Sequence, residues 1–338
     1  MKHWKTILGW LLLAGLMGWT AWTLFRGSSA AAVWSALKQV HPGTVLLGLA
    51  LMTGFILCEA ACTRRILAAL GHKTTISQAM GYSAAGFYFS SVTPSASGGQ
   101  PAQVLAMRKD GIPLAHGTLD MLLVTVCYQT MTLLFAAGAW FLLPGAADLL
   151  GIGLGALLLF GGLTTLVLTA GMVLLLVRPP KSPRFDDYRA AAALIRSRPA
   201  LLPRLLGLTA LQLLCLYLVP YVVYRGFGLN GASALQLVGM QALLSLATGC
   251  LPLPGAVGAA EGAFLRGFTH FFGADLVAPA VLVSRGISFY LPLLCTGLIT
   301  LSLRLRRRQT ANPLSRRPPA APLKASSFAR KQVSRPAS

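Results

Sequence analysis

Glu261 and Arg285 are charges set in stretches that otherwise carry none. Residues 231–260 are uncharged, and Arg285 is the lone charge of 276–303. A carboxylate and a guanidinium so placed suit mutual pairing, or a shared polar cavity that both face. A second set is neutral. The segment 91–101 reads Ser-Val-Thr-Pro-Ser-Ala-Ser-Gly-Gly-Gln-Pro, and its Ser91, Thr93, Ser95, Ser97 and Gln100 offer hydroxyl and amide donors. Pro94, Gly98, Gly99 and Pro101 break regular structure there. A helix restarting near Gly98, or near Gly258, aims free backbone N–H groups and its positive dipole end at the break, which suits an anion such as a phosphate. Capping is the other role open to the same hydroxyls.

What those groups face depends on the elements that carry them. The 338 residues are 55% hydrophobic and 11% charged, where soluble domains carry about 25% charged residues. Runs of roughly 20 apolar residues recur at 7–25, 44–62, 116–143, 151–177, 205–224 and 276–303. A soluble enzyme is excluded. The expected fold is an all-α polytopic membrane protein with about six full transmembrane helices. At membrane depth a charge costs several kcal/mol unless paired or hydrated. Glu261 and Arg285 are therefore expected to face one polar cavity and to pair there, with a purely structural ion pair as the alternative.

Basic residues set the expected orientation. Lys2 and Lys5 precede the first run, which is too long for a signal-peptide core and is read as an uncleaved span. Arg64, Arg65, His72 and Lys73 follow the second run, and the loop 178–204 holds six Arg and one Lys. The positive-inside rule makes these segments and both termini cytoplasmic. Residues 76–92 lead into the break, and 102–107 lead back to Arg108, Lys109 and Asp110. Arms of about 17 and 8 residues are too short for two crossings, so a re-entrant helical hairpin entering from the cytoplasm is expected. If the C-terminal tail is to end inside, 231–273 must form a second hairpin entering from the opposite face. It is broken at Leu251-Pro-Leu-Pro-Gly-Ala-Val-Gly258.

The two breaks align. Pro94-x-x-x-Gly98-Gly-Gln matches Pro254-x-x-x-Gly258-Ala-Ala-Glu, each with one span before it and one after. The preceding spans point in opposite directions, so 44–143 and 205–303 read as an inverted repeat. Inverted repeats whose broken helices meet near the midplane are the recurrent plan of secondary transporters. Two unrelated loops between short helices are the competing reading.

Other residues read more plainly. Asp120 stands near the start of its span, as a cytoplasmic cap would. Glu59 is placed to pair with Arg64 or Arg65, and Tyr217, Tyr221 and Tyr224 read as interfacial anchors. Cys58, Cys62, Cys127, Cys215, Cys250 and Cys295 make no CxxC or zinc spacing and read as buried small hydrophobes. Net charge is +21, of which the ten Lys and Arg of 304–338 supply +10. Such a tail reads as disordered, a topology signal and a contact for anionic lipid.

At the two breaks the sequence resembles the transmembrane domain of lysylphosphatidylglycerol synthases, a flippase-like family. The pieces that carry the likeness are Thr93-Pro-Ser-Ala-Ser-Gly-Gly-Gln-Pro101, Arg108-x-x-Gly111 and Pro254-Gly255-x-x-Gly258-x-x-Glu261, and it extends over residues 5–305. In full-length members this domain flips aminoacylated lipid, while a separate soluble domain transfers lysine from charged tRNA to phosphatidylglycerol. The tail 304–338 is too short to build that second domain, so a stand-alone member is expected: transmembrane domain 1–303, then the tail.

The leading expectation is a translocator of phospholipid or aminoacylated lipid headgroups in a bacterial inner membrane. Its cavity is expected to hold Thr93, Pro94, Ser95, Ser97, Gly98, Gly99, Gln100, Pro254, Gly255, Gly258, Glu261 and Arg285. No catalytic residue, metal or cofactor is expected. The partners are the membrane and an anionic or aminoacylated phospholipid, not nucleic acid, and a homo-oligomer is left open. Two other classes stand beside it. One is phosphatidylglycerol lysyltransferase function, linked to cationic-peptide and antibiotic resistance, with a catalytic domain supplied in trans. The other is a non-transporting scaffold whose basic tail recruits partners. No Walker motif is present, which argues against ATP-driven transport by this chain alone.

Overall fold

The computed structural model describes residues 35, 38, 40–93, 96–143, 145–249, 251 and 253–311. The first expected span, most of the connector after it, and the tail beyond 311 lie outside the described residues.

Local chemistry sets where the helices begin and end. Pro42–Ala69 (α1) starts with proline, whose missing N–H costs nothing there, and His41 Nδ1 accepts from the Gly43 N–H at 3.1 Å. Ile76–Val92 (α2) opens on a capping box between Thr75 and Gln78. Gly99–Lys109 (α3) stops two residues before Gly111, which takes φ 85°. Leu114–Leu142 (α4) and Ala146–Val177 (α5) are joined through Gly145 at φ 70°. Asp186–Arg196 (α6) follows, and then Leu201–Tyr217 (α7) and Val219–Gly226 (α8) run nearly end to end. Ala234–Gly249 (α9) leads through a short turn, Pro254–Ala256, into Ala259–Arg285 (α10). A π-helical turn, Gly286–Tyr290, connects α10 to Leu291–Ala311 (α11).

Five helical runs are long and apolar enough to cross a membrane: Pro42–Ala69, Leu114–Leu142, Gly153–Val177, Leu201–Gly226 and Pro254–Leu303. They coincide with the second to sixth expected spans, and no strand occurs among the described residues. The chain is an all-α polytopic membrane protein. On α5, Leu159 and Leu163 are 77% and 64% exposed among other bare aliphatics, a face that suits lipid and not water.

Inside, α1 packs on α2 and α7, and α9 packs on α4, α5 and α10. The largest buried cluster centres on the aromatic residues of α10. Phe264 stacks on Phe268 with centroids 4.2 Å apart, and Phe272 meets Tyr224 edge-on at 5.4 Å. Such ring pairs add about 0.5–1.5 kcal/mol each beyond area burial. Where α5 crosses α9, a side chain at Gly161 would strike the Leu246 carbonyl. Small residues are what allow membrane helices to approach so closely.

Two helical hairpins interrupt the long helices. The first pairs α2 with α3, of 17 and 11 residues, or about 25 and 16 Å at 1.5 Å per residue. The second pairs α9, of 16 residues, with the opening part of α10. Within α10, Gly273 at φ 75° breaks the helix and separates that opening part from the last span.

Several expectations need correction. The segment 178–204 is not a loop throughout, because α6 forms within it. Asp186 and Asp187 favour the start of α6 through the dipole, and Tyr188, Ala191 and Ala192 on its inner face pack with Cys62, Leu119 and Leu205. Tyr217 and Tyr224 are buried rather than interfacial: Tyr217 lies edge-on to Phe135, and the Tyr224 hydroxyl accepts from the Ala232 N–H at 3.0 Å. Cys58, Cys62 and Cys127 are buried as expected, but Cys215 is only partly buried and Cys295 is exposed. Cys250 lies outside the described residues. The final helix runs on to Ala311, into the segment read as disordered tail.

Candidate functional site

The two breaks share a backbone path. Among the described residues the non-glycines of positive φ are Ala96, at 53°, and Ala256, at 51°. Each stands two positions after the proline of the aligned motif and ahead of a helix that begins at Gly99 or Ala259. Left-handed backbone costs an L-residue roughly 1–2 kcal/mol. Its recurrence at one offset gives the letter-by-letter match a physical counterpart.

The first tip is tied by neutral groups. Thr93 Oγ1 donates to Phe89 O at 2.6 Å and accepts from the Gly98 N–H at 2.9 Å. The Ala96 N–H donates to Thr93 O at 3.2 Å, and Ser91 Oγ donates back to Phe87 O at 2.8 Å. Thr93 and Ser91 are therefore engaged with the hairpin's own backbone, as is the Gly98 N–H expected to be free. Gln100 reaches away, its Nε2 donating to Thr125 Oγ1 of α4 at 2.8 Å. A Cβ at Gly99 would sit 2.8 Å from Gly86 O, so only glycine lets α3 start this close to α2.

An ionic cluster ties the second tip. Glu261 is 2% exposed. Its Oε2 accepts from the Gly258 N–H at 2.6 Å, and its Oε1 accepts from Arg285 Nε at 2.7 Å. The Tyr290 hydroxyl also reaches Oε1, at 3.4 Å. Arg285 Nη2 donates to Gly255 O at 3.0 Å, and its guanidinium lies 4.5 Å from the centre of the Phe289 ring. That ring fills the space a Cβ at Gly255 would need.

The tips meet. The Pro254–Ala256 turn packs against α2, and a cavity of about 550 Å³ is lined by residues of both hairpins. Of the expected site residues, Ser97, Gln100, Gly255 and Arg285 line it. Thr93, Gly98, Gly99, Pro254, Gly258 and Glu261 shape the tips without lining it. Pro94 and Ser95 lie outside the described residues. The expected Glu261–Arg285 pair is formed, but only Arg285 faces the cavity, with the carboxylate behind it.

Sequence reasoning missed Glu59. It lines the cavity and accepts from Gln103 Nε2 at 3.0 Å and Gln212 Nε2 at 3.3 Å. Neither Arg64 nor Arg65 pairs with it; both are exposed, and Arg65 Nη1 turns to Ala61 O. At five and six residues along a helix they fall well off the face that carries Glu59. Gln129, Gln241 and Ser245 also line the cavity. Amides within apolar spans were the available signal, since each must find a polar partner or a wet space.

The family model for the lysylphosphatidylglycerol synthase TM region matches residues 6–295. The chain belongs to that family. No curated protein matches it by sequence. Within this lysylphosphatidylglycerol synthase TM region, the Arg108-x-x-Gly111 piece turns α3 into α4. Asp110 Oδ2 accepts there from the Tyr82 hydroxyl at 2.7 Å, which ties the end of the first hairpin to its start. No group of three or more His, Cys, Asp or Glu able to hold a metal occurs among the described residues.

Proposed function

We propose that this member of the family moves a lipid headgroup across a bacterial inner membrane, through the cavity between the two hairpin tips. The carrying observation is that cavity: residues of both hairpins line it, with Arg285 and Glu59 among them. In this reading the hairpins are re-entrant and enter from opposite faces as an inverted repeat, with both termini cytoplasmic. Arg285 meets the lipid phosphate through charge-assisted hydrogen bonds, while Ser97 and Gln100 supply neutral donors. Glu59, held by amides and not by a cation, suits an amine on an aminoacylated or zwitterionic headgroup. Acyl chains stay outside in lipid, so only polar atoms need the wet path.

The test is headgroup movement in vesicles of purified full chain with labelled phosphatidylglycerol and lysylphosphatidylglycerol. Movement of at least one lipid, lost in Arg285→Gln, is expected. Folded protein that moves no headgroup across a lipid panel would overturn the reading. Transfer of lysine to phosphatidylglycerol by the same preparation would establish the synthase alternative instead.

A further inference from the structure

Two carboxylates inside the bundle play no part in holding the tips. Asp120 of α4 is fully enclosed, and neither of its oxygens has a hydrogen-bond partner. The Thr63 hydroxyl of α1 stands beside it, equally buried and close enough to act on its charge, though outside good hydrogen-bond geometry. Asp120 is therefore not the interfacial cap expected from its position. Glu59 lies one turn before Thr63 on the same face of α1, within the electrostatic reach of Asp120. It opens onto the cavity.

An ionised carboxylate enclosed with no cation and no well-formed hydrogen bond is far costlier than one carrying its proton. A second carboxylate nearby raises that cost further. Asp120 is thus an enclosed carboxyl group near one that meets the cavity.

Toward the end of the bundle, a histidine shares the face of α4 that carries Asp120. His116 lies one turn earlier on the same face of α4. Its Nδ1 is 2.8 Å from Nε2 of His72, in the turn after α1, and both rings are partly buried. The groups thus run from the His72–His116 contact along one turn of α4 to Asp120, about 5.4 Å, then across to Thr63 of α1 and one turn along α1 to Glu59 at the cavity. The other titratable or charged groups around them are Cys58 and Cys62 of α1, Cys127 and Tyr128 of α4, Asp187, Tyr188 and Arg196 of α6, and Tyr217 of α7. The α2, α3 and α7 residues that face Glu59 are neutral: Ser83, Gln103 and Gln212. Arg196 donates to Leu176 O at 2.7 Å, and among the described residues no cation pairs with either carboxylate.

We infer that His72, His116, Asp120 and Glu59 form a proton path from one end of the helix bundle into the cavity, so that movement of the occupant is linked to movement of a proton. The histidine pair exchanges a proton with water, Asp120 holds it as a neutral acid, and Glu59 takes it when the occupant leaves. Asp120 is reprotonated through His116, so the path returns to its starting charge. The coupling rests on the headgroup reading above; the proton site does not.

Two measurements separate them. Infrared difference spectra of the full chain across a pH jump, with no added substrate, are expected to show a protonated-carboxyl band that disappears in Asp120→Asn. In vesicles of labelled phosphatidylglycerol, a gradient of one pH unit can shift headgroup distribution by at most about tenfold. That response is expected in the parent and in Asp120→Glu, while Asp120→Asn and His116→Gln keep gradient-free movement and lose the response. A band unchanged by Asp120→Asn, or an undiminished response in both variants, would overturn the path. If Asp120→Asn does not fold, His116→Gln decides through the same response. If no headgroup moves at all, the function falls while the infrared band still decides the proton site.

Discussion

At the first tip a threonine hydroxyl and a few backbone groups hold the turn. At the second, a turn with the same left-handed step leans on a carboxylate, a guanidinium and two aromatic rings. The neutral tip sends Gln100 across to α4, whereas the ionic tip presents Arg285 to the cavity and keeps its counter-ion behind. Stability is therefore distributed differently between them. Removing one partner of a buried ion pair leaves an uncompensated charge, while removing a neutral tie costs about one hydrogen bond. If one half of the site were rigid and the other adaptable, the ionic half would be the rigid one.

The largest effect that could break this comparison comes from Glu261→Ala. It leaves Arg285 unpaired and the Gly258 N–H unsatisfied, at an expected cost of about 3–5 kcal/mol. Thermal unfolding in detergent measures it, and a loss under about 1 kcal/mol would make the pair ornamental. The double change Glu261→Gln with Arg285→Gln should recover much of the loss. Next come two glycines. Gly255→Ala places a Cβ into the Phe289 ring at a residue of φ 58°, and Gly99→Ala drives α3 from the Gly86 carbonyl. Each should cost about 1–3 kcal/mol, with a shift of the aromatic signal in the first case only.

Thr93→Val removes both hydrogen bonds of that hydroxyl and should cost about 1–3 kcal/mol, and Thr93→Ser should restore most of it. Equal losses at Thr93 and Glu261 would erase the contrast between the tips. The smallest change in stability is expected at Gln100→Ala, within about 0.5 kcal/mol. Headgroup movement in vesicles should nonetheless fall in this variant, because its amide lines the cavity. A Gln100 variant that is both stable and fully active would confine recognition to the ionic half.

Much of the architecture was legible because its signals are cumulative. Apolar runs of span length do not depend on any single contact. The Glu261–Arg285 pair was legible for a related reason, since two lone charges in apolar helices have few other places to go. Glu59 was misread because a nearest-neighbour rule along α1 offered Arg64 and Arg65, while its partners come from α3 and α7. Asp120 was misread because distance from a helix end says nothing about what packs over it. Of the two roles open to the tip hydroxyls, Thr93 and Ser91 take the local one and bond to the hairpin's own backbone, a choice that only three-dimensional geometry reveals.

The π-helical turn after Arg285 has a consequence beyond the ion cluster. A turn of this kind is a helix carrying one surplus residue, and each residue advances an α-helix by about 100°. Everything past Tyr290 is therefore rotated in phase relative to a straight continuation of α10. That phase sets Gly297 against the ring of Tyr88 on α2, where an added Cβ would come within 3.0 Å of the ring. Deleting one residue from the turn would present Leu298 to Tyr88 in place of Gly297. The surplus residue thus acts as a register shim between the last span and the first hairpin.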